Sequence, residues 1–378
     1  MRIGLLTGEY PPDQGGVGDF TRELGRALTD LGHTVHVITS ARPAAPPAPR
    51  VHRVVTAWRW GCWRPILDLA RDLRLDVLDL QYQAAAYGMH PAVNLIPRRR
   101  NRPPLVVTFH DLKVPYLFPK AGPLRWRAVL LLARRADGVI VTNQEDYLRL
   151  QDIIPAARLS LIPIGSNIPP RPPRGYDRSA ERARWGVGPD DLLVGYFGFL
   201  NASKGGEELI RALGLLVARG LPAHLLMVGG RVGSSDPTNR AYAARVEALI
   251  ADLGLRERVH WTGYSRPEQV SAGLLATDLC LLPYRDGVSF RRGTLHACLS
   301  HGRAIVTTDP AIPLPQVRDG ENMLLAAPGD PESLAAAVAR LAADPSLRAR
   351  LERGARELAA EFTWERIARQ TAAFFGRL

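Results

Sequence analysis

DLLVGYFGFLNASKGGEELIRAL, residues 191–213, is the stretch from which the rest of the chain can be read. Leu192 to Phe197 form an apolar run closed by Gly198, which predicts a buried strand and a turn. A short polar loop follows, and Gly205-Gly206 open a helix with Ile210 and Leu213 on its apolar face. In such a unit the first free N–H groups and the positive end of the helix dipole lie beyond the strand's carboxyl edge. That place favours an anion, most often a phosphate. Lys204 falls there. Arginine supplies almost all the other cations, the only lysines being Lys113, Lys120 and Lys204, so this lysine stands apart from ordinary surface charge.

A chain of 378 residues exceeds one ordinary core, and two domains are expected. With 46% hydrophobic and 23% charged residues it has the composition of a globular protein. The net charge of +12 suits nucleic acid, an anionic membrane or phosphorylated substrates. No zinc-ligand spacing or nucleic-acid reader motif accompanies it, and the arginines are spread along the chain, which argues against nucleic acid. Cys62, Cys280 and Cys298 are odd in number and unclustered, so reduced buried thiols are expected rather than disulfides. Met1-Arg2 runs directly into a strand with no signal-peptide pattern. No apolar run approaches the roughly 18 to 20 residues that span a bilayer, and a cytoplasmic protein is expected.

Ile3 to Thr7 predicts a strand, Gly8 to Gly18 (GEYPPDQGGVG) a long loop, and Asp19 to Leu31 a helix stopped at Gly32. Thr34 to Thr39 is the next strand. The loop is too long for a dinucleotide fingerprint and no acidic residue follows the second strand, which argues against a nicotinamide or flavin cofactor. After an exposed loop at Pro43 to Pro49 come strands at Asp76 to Gln81, Leu105 to Phe109, Gly138 to Thr142 and Leu159 to Pro163, with a helix at Leu124 to Arg135. His110 lies just past one strand, where a ligand contact competes with a purely structural role.

Ile168 to Gly175 (IPPRPPRG) reads as an extended linker. A second alternating half follows, with strands at Leu192 to Phe197, Ala223 to Val228, Val259 to Thr262, Leu279 to Pro283 and Ala304 to Thr307. Strands alternating with helices predict parallel sheets covered on both faces, with ligands at the carboxyl ends of the strands. From Ser333 onward the pattern is helical, and Phe362, Trp364, Ile367, Phe374 and Phe375 are placed to return the chain to its first half.

The loop Gly15-Gly16-Val17-Gly18, LTDLGHTVHVIT at 28–39, His110-Asp111 and ADGVIVTN at 136–143 form an ordered set. It continues with IPIGSNI at 162–168, YFGFLNASKG at 196–205, LLMVGG at 225–230, ATDLCLLP at 276–283 and the strand after Gly302. Over nearly the whole chain this set resembles the glycosyltransferase family 4 enzymes of the GT-B fold. The resemblance implies an α/β chain of two doubly wound Rossmann-like domains facing a cleft. Residues 1–170 would hold most of the acceptor, residues 171–360 would bind the nucleotide-sugar, and a helix at about 361–378 would pack back on the first domain.

The family likeness also implies retaining transfer from a UDP-sugar or GDP-sugar to a glycan, lipid or small-molecule acceptor, without cofactor or metal. By matching position Lys204 would hold the donor diphosphate, His110 would contact the donor sugar, and Gly16 would come close to phosphate or sugar for want of a side chain. Gly15, Gly198, Asn201, Gly229, Gly263, Tyr264, Asp286, Ser289, Gly293 and Thr294 complete the expected donor site. A departing nucleoside diphosphate gathers charge on its oxygens, and fixed cations with helix N–H groups stabilise that charge.

Two positions depart from the family pattern. The arginine usual after the glycine matching Gly198 is Phe199, and two glutamates separated by seven residues are replaced by Ser289 and Ala297. Arg291 and Arg292, in DGVSFRRGT at 286–294, are candidates to replace the lost arginine, with only one of the neighbours expected to point inward. The departures leave open a degenerate module that binds nucleotide or glycan without turnover. Asp190-Asp191 reads as a turn and cap rather than as metal ligands. WRWGCWR at 58–64, with Leu117 to Arg127 (Phe118, Lys120, Trp126, Arg127), is readable as a peripheral membrane patch or as half-buried aromatics beside solvated charges.

Overall fold

The structure, a computed structural model, describes residues 1–13, 15–41, 48–99, 101–112, 122–230 and 237–378, without the side chains of 122, 123, 125, 237 and 238. The loop from Pro43 to Pro47, and Lys113, Leu117, Phe118 and Lys120, lie outside the described residues. The chain divides into two compact units, Met1–Asn167 with Phe362–Leu378, and Ile168–Glu361.

The first unit is a parallel sheet of β1 (Arg2–Thr7), β2 (Thr34–Ser40), β3 (Val51–Val55), β4 (Val77–Tyr82), β5 (Leu105–Phe109), β6 (Gly138–Val141) and β7 (Leu159–Leu161) in the order 3-2-1-4-5-6-7. Its helices are α1 (Gly16–Asp30), α2 (Trp63–Asp72), α3 (Gly122–Arg135) and α4 (Gln144–Leu150). The strands β4, β5 and β6 are buried throughout and mostly apolar, as a sheet covered on both faces requires. The edge strand β3, VHRVV, is mostly half-buried. That weak apolar signal is why the sequence does not predict it.

The second unit repeats the plan. Its strands are β8 (Leu192–Phe197), β9 (Ala223–Val228), β10 (Val259–Trp261), β11 (Leu279–Leu282), β12 (Ala304–Thr308) and β13 (Leu324–Ala326), all parallel in the order 10-9-8-11-12-13. Around them are α5 (Arg178–Arg184), α6 (Gly206–Ala218), α7 (Pro237–Asp252), α8 (Pro267–Ala276), α9 (Gly293–Ser300), α10 (Pro331–Ala343) and α11 (Pro345–Ala359). The last helix, α12 (Trp364–Phe375), belongs to the first unit, where Ile367, Ala368, Phe374 and Phe375 join a core with Ile3, Leu5, Val77 and Ile140.

In each sheet the strand order reverses once, between β1 and β4 and between β8 and β11. Loops leaving the carboxyl ends of strands at such a reversal diverge and leave a crevice, where doubly wound folds hold ligands. The loops after β8 and β11 carry Gly198 to Gly205 and Pro283 to Arg292. Of the tryptophans in the 58–64 stretch, Trp58 and Trp63 pack on the core of the first unit, and only Trp60 is well exposed, at 63%. All three cysteines are buried and free. Asp191 closes a turn by accepting from the Gly188 N–H at 2.7 Å.

Candidate active site

The turn after β8 is built by Asn201, whose Oδ1 accepts from the Lys204 N–H at 3.1 Å and from Ser203 Oγ at 3.0 Å. Asn201 therefore shapes the loop that aims Lys204. The loop is stitched to the end of β11, since Arg285 N–H donates to Ser203 O at 3.0 Å. Gly205 has φ +69°, and a Cβ there would lie 1.9 Å from Pro283 O. Glycine is required at that crossing on both counts.

Lys204, Gly198 and Thr294 meet at the reversal point. A Cβ on Gly198 would lie 3.2 Å from Lys204 Nζ and 2.6 Å from Thr294 Cγ2. Thr294 stands in the first turn of α9, and its Oγ1 is 2.7 Å from Tyr284 OH. The Lys204 ammonium has no hydrogen-bond or ion-pair partner among the described residues. Burial, and then the positive charge of Arg292, push its pKa down to about 8. Lys204 thus stands close to Arg292 without a carboxylate of its own, which leaves a net positive charge at this place.

Arg292 is the N-cap residue of α9, with 9% of its side chain exposed. Its guanidinium lies over the Tyr284 ring, 4.3 Å from the centroid, and donates Nη2 to Asp286 Oδ1. Its Nε is buried without a partner. Arg291, 11% exposed, donates Nη2 to Asp286 Oδ2. The expectation that only one of the pair turns inward is thus corrected. Asp286 offers two oxygens, and the loop folds so that each guanidinium takes one. Ser289 Oγ accepts from the Arg291 N–H at 3.5 Å, and Gly293 is exposed at the helix start with open space where a Cβ would be.

The N-terminus of α6 is less open than its sequence suggests. Glu207 and Glu208 fill its first turn, and the Glu207 N–H is taken by Tyr242 OH at 3.1 Å. Arg285 Nε donates to Glu208 Oε1 at 2.6 Å. Carboxylates already answer that helix dipole, so the Lys204 ammonium, not α6, marks the candidate anion site. Gly229 and Gly263 form an isolated bridge at the carboxyl edge, with the Gly229 N–H donating to Thr262 Oγ1 at 2.9 Å. Tyr264, 70% exposed, follows them. Ala297, at the second missing-glutamate position, is fully buried within α9.

In the first unit the loop after β1 ends at Gly15, the N-cap of α1. Glu9 Oε1 accepts from the N–H groups of Val17 at 3.1 Å and Gly18 at 3.3 Å, so a carboxylate of the chain caps this helix. Burial pushes the Glu9 pKa up. A Cβ on Gly15 would meet that carboxylate at 2.2 Å, whereas one on Gly16 would meet nothing within 4 Å. Packing therefore does not demand glycine at 16. His110 follows β5, its Nε2 2.9 Å from Gln81 Oε1 and its ring edge-on to Phe20 at 4.7 Å. Burial lowers its pKa to about 3, so the imidazole is neutral. Glu9, Asp79, Gln81 and Tyr284 were missed in the sequence. Two polar residues at alternate positions of an apolar strand, Asp79 and Gln81 in VLDLQY, were the available signal.

Residues 14–168 match the family model of Glycosyltransferase Family 4, and residues 191–344 match that of Glycosyl transferases group 1. The chain is 28% identical over 389 residues to a D-inositol 3-phosphate glycosyltransferase of Acidothermus cellulolyticus, covering 93% of this chain and 83% of that one. Among solved structures it resembles sucrose-phosphate synthase of Thermosynechococcus elongatus, with TM-score 0.77 and 24% identity over 100% and 98% of the two chains. HepE of Anabaena, solved with UDP and glucose, gives TM-score 0.77 and 22% identity over all of both chains. Two Rossmann-like units, the two matches that between them take up most of the sequence, and these structural likenesses place the chain in glycosyltransferase family 4, with the GT-B fold.

Proposed function

We propose that this glycosyltransferase takes a sugar from a nucleotide-activated donor, a UDP-sugar or GDP-sugar, and transfers it with retention and without a metal ion. The observation that carries this reading is the Lys204 ammonium, partnerless among the described residues beside Gly198 and Thr294 and close enough to Arg292 for its pKa to be lowered. A donor diphosphate is an anion that matches this positive charge. Lys204 and Arg292 then hold its oxygens, and the first turn of α9 adds N–H groups and the positive end of its dipole. These groups are fixed before reaction, so they stabilise the leaving diphosphate without reorganising. The naming of the Acidothermus relative as a glycosyltransferase and the UDP in the Anabaena structure support the donor class.

His110 contacts the donor sugar in this reading, and the acceptor, a glycan, lipid or small molecule, is held by the first unit. That unit has a cavity of about 180 Å³ lined by Tyr82, Met89, His90, Asn94, Leu124 and Ala128 among others. Its mixture of an apolar wall and amide or phenol groups suits a molecule with both kinds of surface. The test is nucleotide-sugar turnover by the full chain in excess chelator. Persistent hydrolysis or transfer is expected. Loss with chelator and recovery with a divalent ion would overturn metal independence, and a nucleotide-sugar that stabilises the protein yet survives long incubation with varied acceptors would favour binding without turnover.

A further inference from the structure

Every residue of β4 is buried, yet two of its six are Asp79 and Gln81. Strand alternation puts Val77, Asp79 and Gln81 on one face and Leu78, Leu80 and Tyr82 on the other. Gln81 pairs with Thr7 on one side and Thr108 on the other. The first face lies under α1 and α12, where Val77 and Val106 share a core with Phe20, Leu24, Ile367 and Phe374. A carboxylate in such a place is costly unless its oxygens are satisfied. Asp79 Oδ1 accepts from Thr108 Oγ1 at 2.8 Å, and Oδ2 accepts from Gln81 Nε2 at 2.6 Å. No cation pairs with it among the described residues.

The chemistry of these groups sets the direction of each bond. Ionised, the Asp79 carboxylate only accepts, so Gln81 turns its NH2 toward it. The Gln81 carbonyl oxygen then faces His110 Nε2 and also only accepts. A neutral imidazole in that contact carries its proton on Nε2. Its Nδ1 is left as an acceptor with no partner among the described residues. Phe20, itself packed edge-on against Trp364 at 5.2 Å, packs edge-on against the His110 ring and limits its rotation.

We propose that Asp79 and Gln81 are positioning residues for the transfer reaction, which lock His110 as the Nε2–H tautomer so that its Nδ1 accepts a hydrogen bond from a hydroxyl of the donor sugar. This rests on the reading of His110 as a donor-sugar contact. A hydroxyl donating to Nδ1 is oriented by it, and the wrong tautomer would set N–H against O–H and lose the contact.

The 15N shifts of the His110 ring nitrogens in the labelled full chain report the tautomer with no substrate present, and are read beside steady-state kinetics near pH 8, about where Asp79 is ionised. The wild type should show the neutral Nε2–H form. Asp79→Asn can donate as well as accept, and Gln81→Leu does neither, so both should mix the tautomers and lower kcat about tenfold, one hydrogen bond's worth. Affinity for the nucleoside diphosphate without its sugar should not change. Gln81→Glu still accepts from Nε2–H and should recover activity relative to Gln81→Leu, whereas a role in packing alone predicts the reverse. A wild-type Nδ1–H tautomer overturns the proposal whatever the variants do. Unaltered kcat in Gln81→Leu, where His110→Ala is inactive, overturns the positioning role. Full activity in His110→Ala, with the tautomer still governed by Asp79, sinks the donor-contact reading and the transfer role built on it.

Discussion

The Arg292 guanidinium lies over the Tyr284 ring at 4.3 Å, and that ring's hydroxyl bonds Thr294 in the first turn of α9. Cation, aromatic face and helix start are thereby joined in one rigid assembly. Arg291 shares Asp286 with Arg292, but only Arg292 acts on Lys204 and keeps a buried Nε without a partner. Arg292→Ala should therefore lower kcat/KM for the donor by about tenfold or more, and Arg291→Ala should do less. Arg292→Lys should not restore activity, because an ammonium cannot both stack and fork. Phe199→Arg should partly rescue Arg292→Ala if the two positions serve the same oxygens. Equal and full activity of both alanine variants would remove the arginines from the diphosphate site.

Lys204 gives the donor site a pH dependence. With its pKa lowered to about 8, the ammonium is charged at neutral pH and discharges as pH rises through that value. An anion prefers the charged form, so nucleoside diphosphate affinity should be level below about pH 7 and fall above about pH 8, by at most tenfold per unit. Calorimetric titration across this range reads the slope. Lys204→Ala should bind weakly with the slope gone and lose at least about tenfold in turnover, a charge-assisted bond's share. A slope that survives the substitution assigns it to another group.

Gly205 tests the crossing of the two loops. Alanine there takes up φ +69° with its Cβ against Pro283 O. The left-handed backbone alone costs roughly 1 to 2 kcal/mol, and the overlap with a carbonyl adds to it. The midpoint of urea unfolding should drop, and donor binding should weaken because Lys204 is aimed by the same turn. A variant as stable as wild type would show that the turn relaxes freely.

Strands with long apolar runs were legible in the sequence nearly to the residue. Leu192 to Phe197, Leu105 to Phe109 and Ala223 to Val228 are strands over the spans the sequence predicts. β3 and β13 were not, because short edge strands bury too little to leave a pattern. Lys204 was legible as a lone lysine after a strand and its glycine. The pairing of both arginines on Asp286 was not, since a loop's path decides which neighbours turn inward. Glu9 was hidden for a similar reason: it reaches across eight residues to cap α1, and no local spacing announces such a cap. Asp79 and Gln81 stood in plain view in VLDLQY, but only the register with Thr108 and the contact with His110 gives them a partner.

Asp79 also leaves a mark on stability. Burial raises its pKa from 3.8 to about 7 against the lowering effect of bonds from Thr108 and Gln81. A raised carboxyl pKa means that the folded chain holds this proton over a range where the unfolded chain has released it. The contribution of Asp79 to stability must then fall as pH rises from about 4 to about 7, with a slope of at most about 1.4 kcal/mol per unit, and level off above the folded pKa. Asp79→Asn carries no such proton, while His110 and every other titrating group is common to both chains and drops out of the difference to first order. Urea unfolding of both proteins between about pH 5 and pH 8 should therefore show Asp79→Asn gaining on the wild type as pH rises, by a few kcal/mol at most, and no further above that range. The sign is the test. If the variant instead loses ground with rising pH, Asp79 is ionised more readily in the folded chain than in the unfolded one, and its burial does not govern its charge.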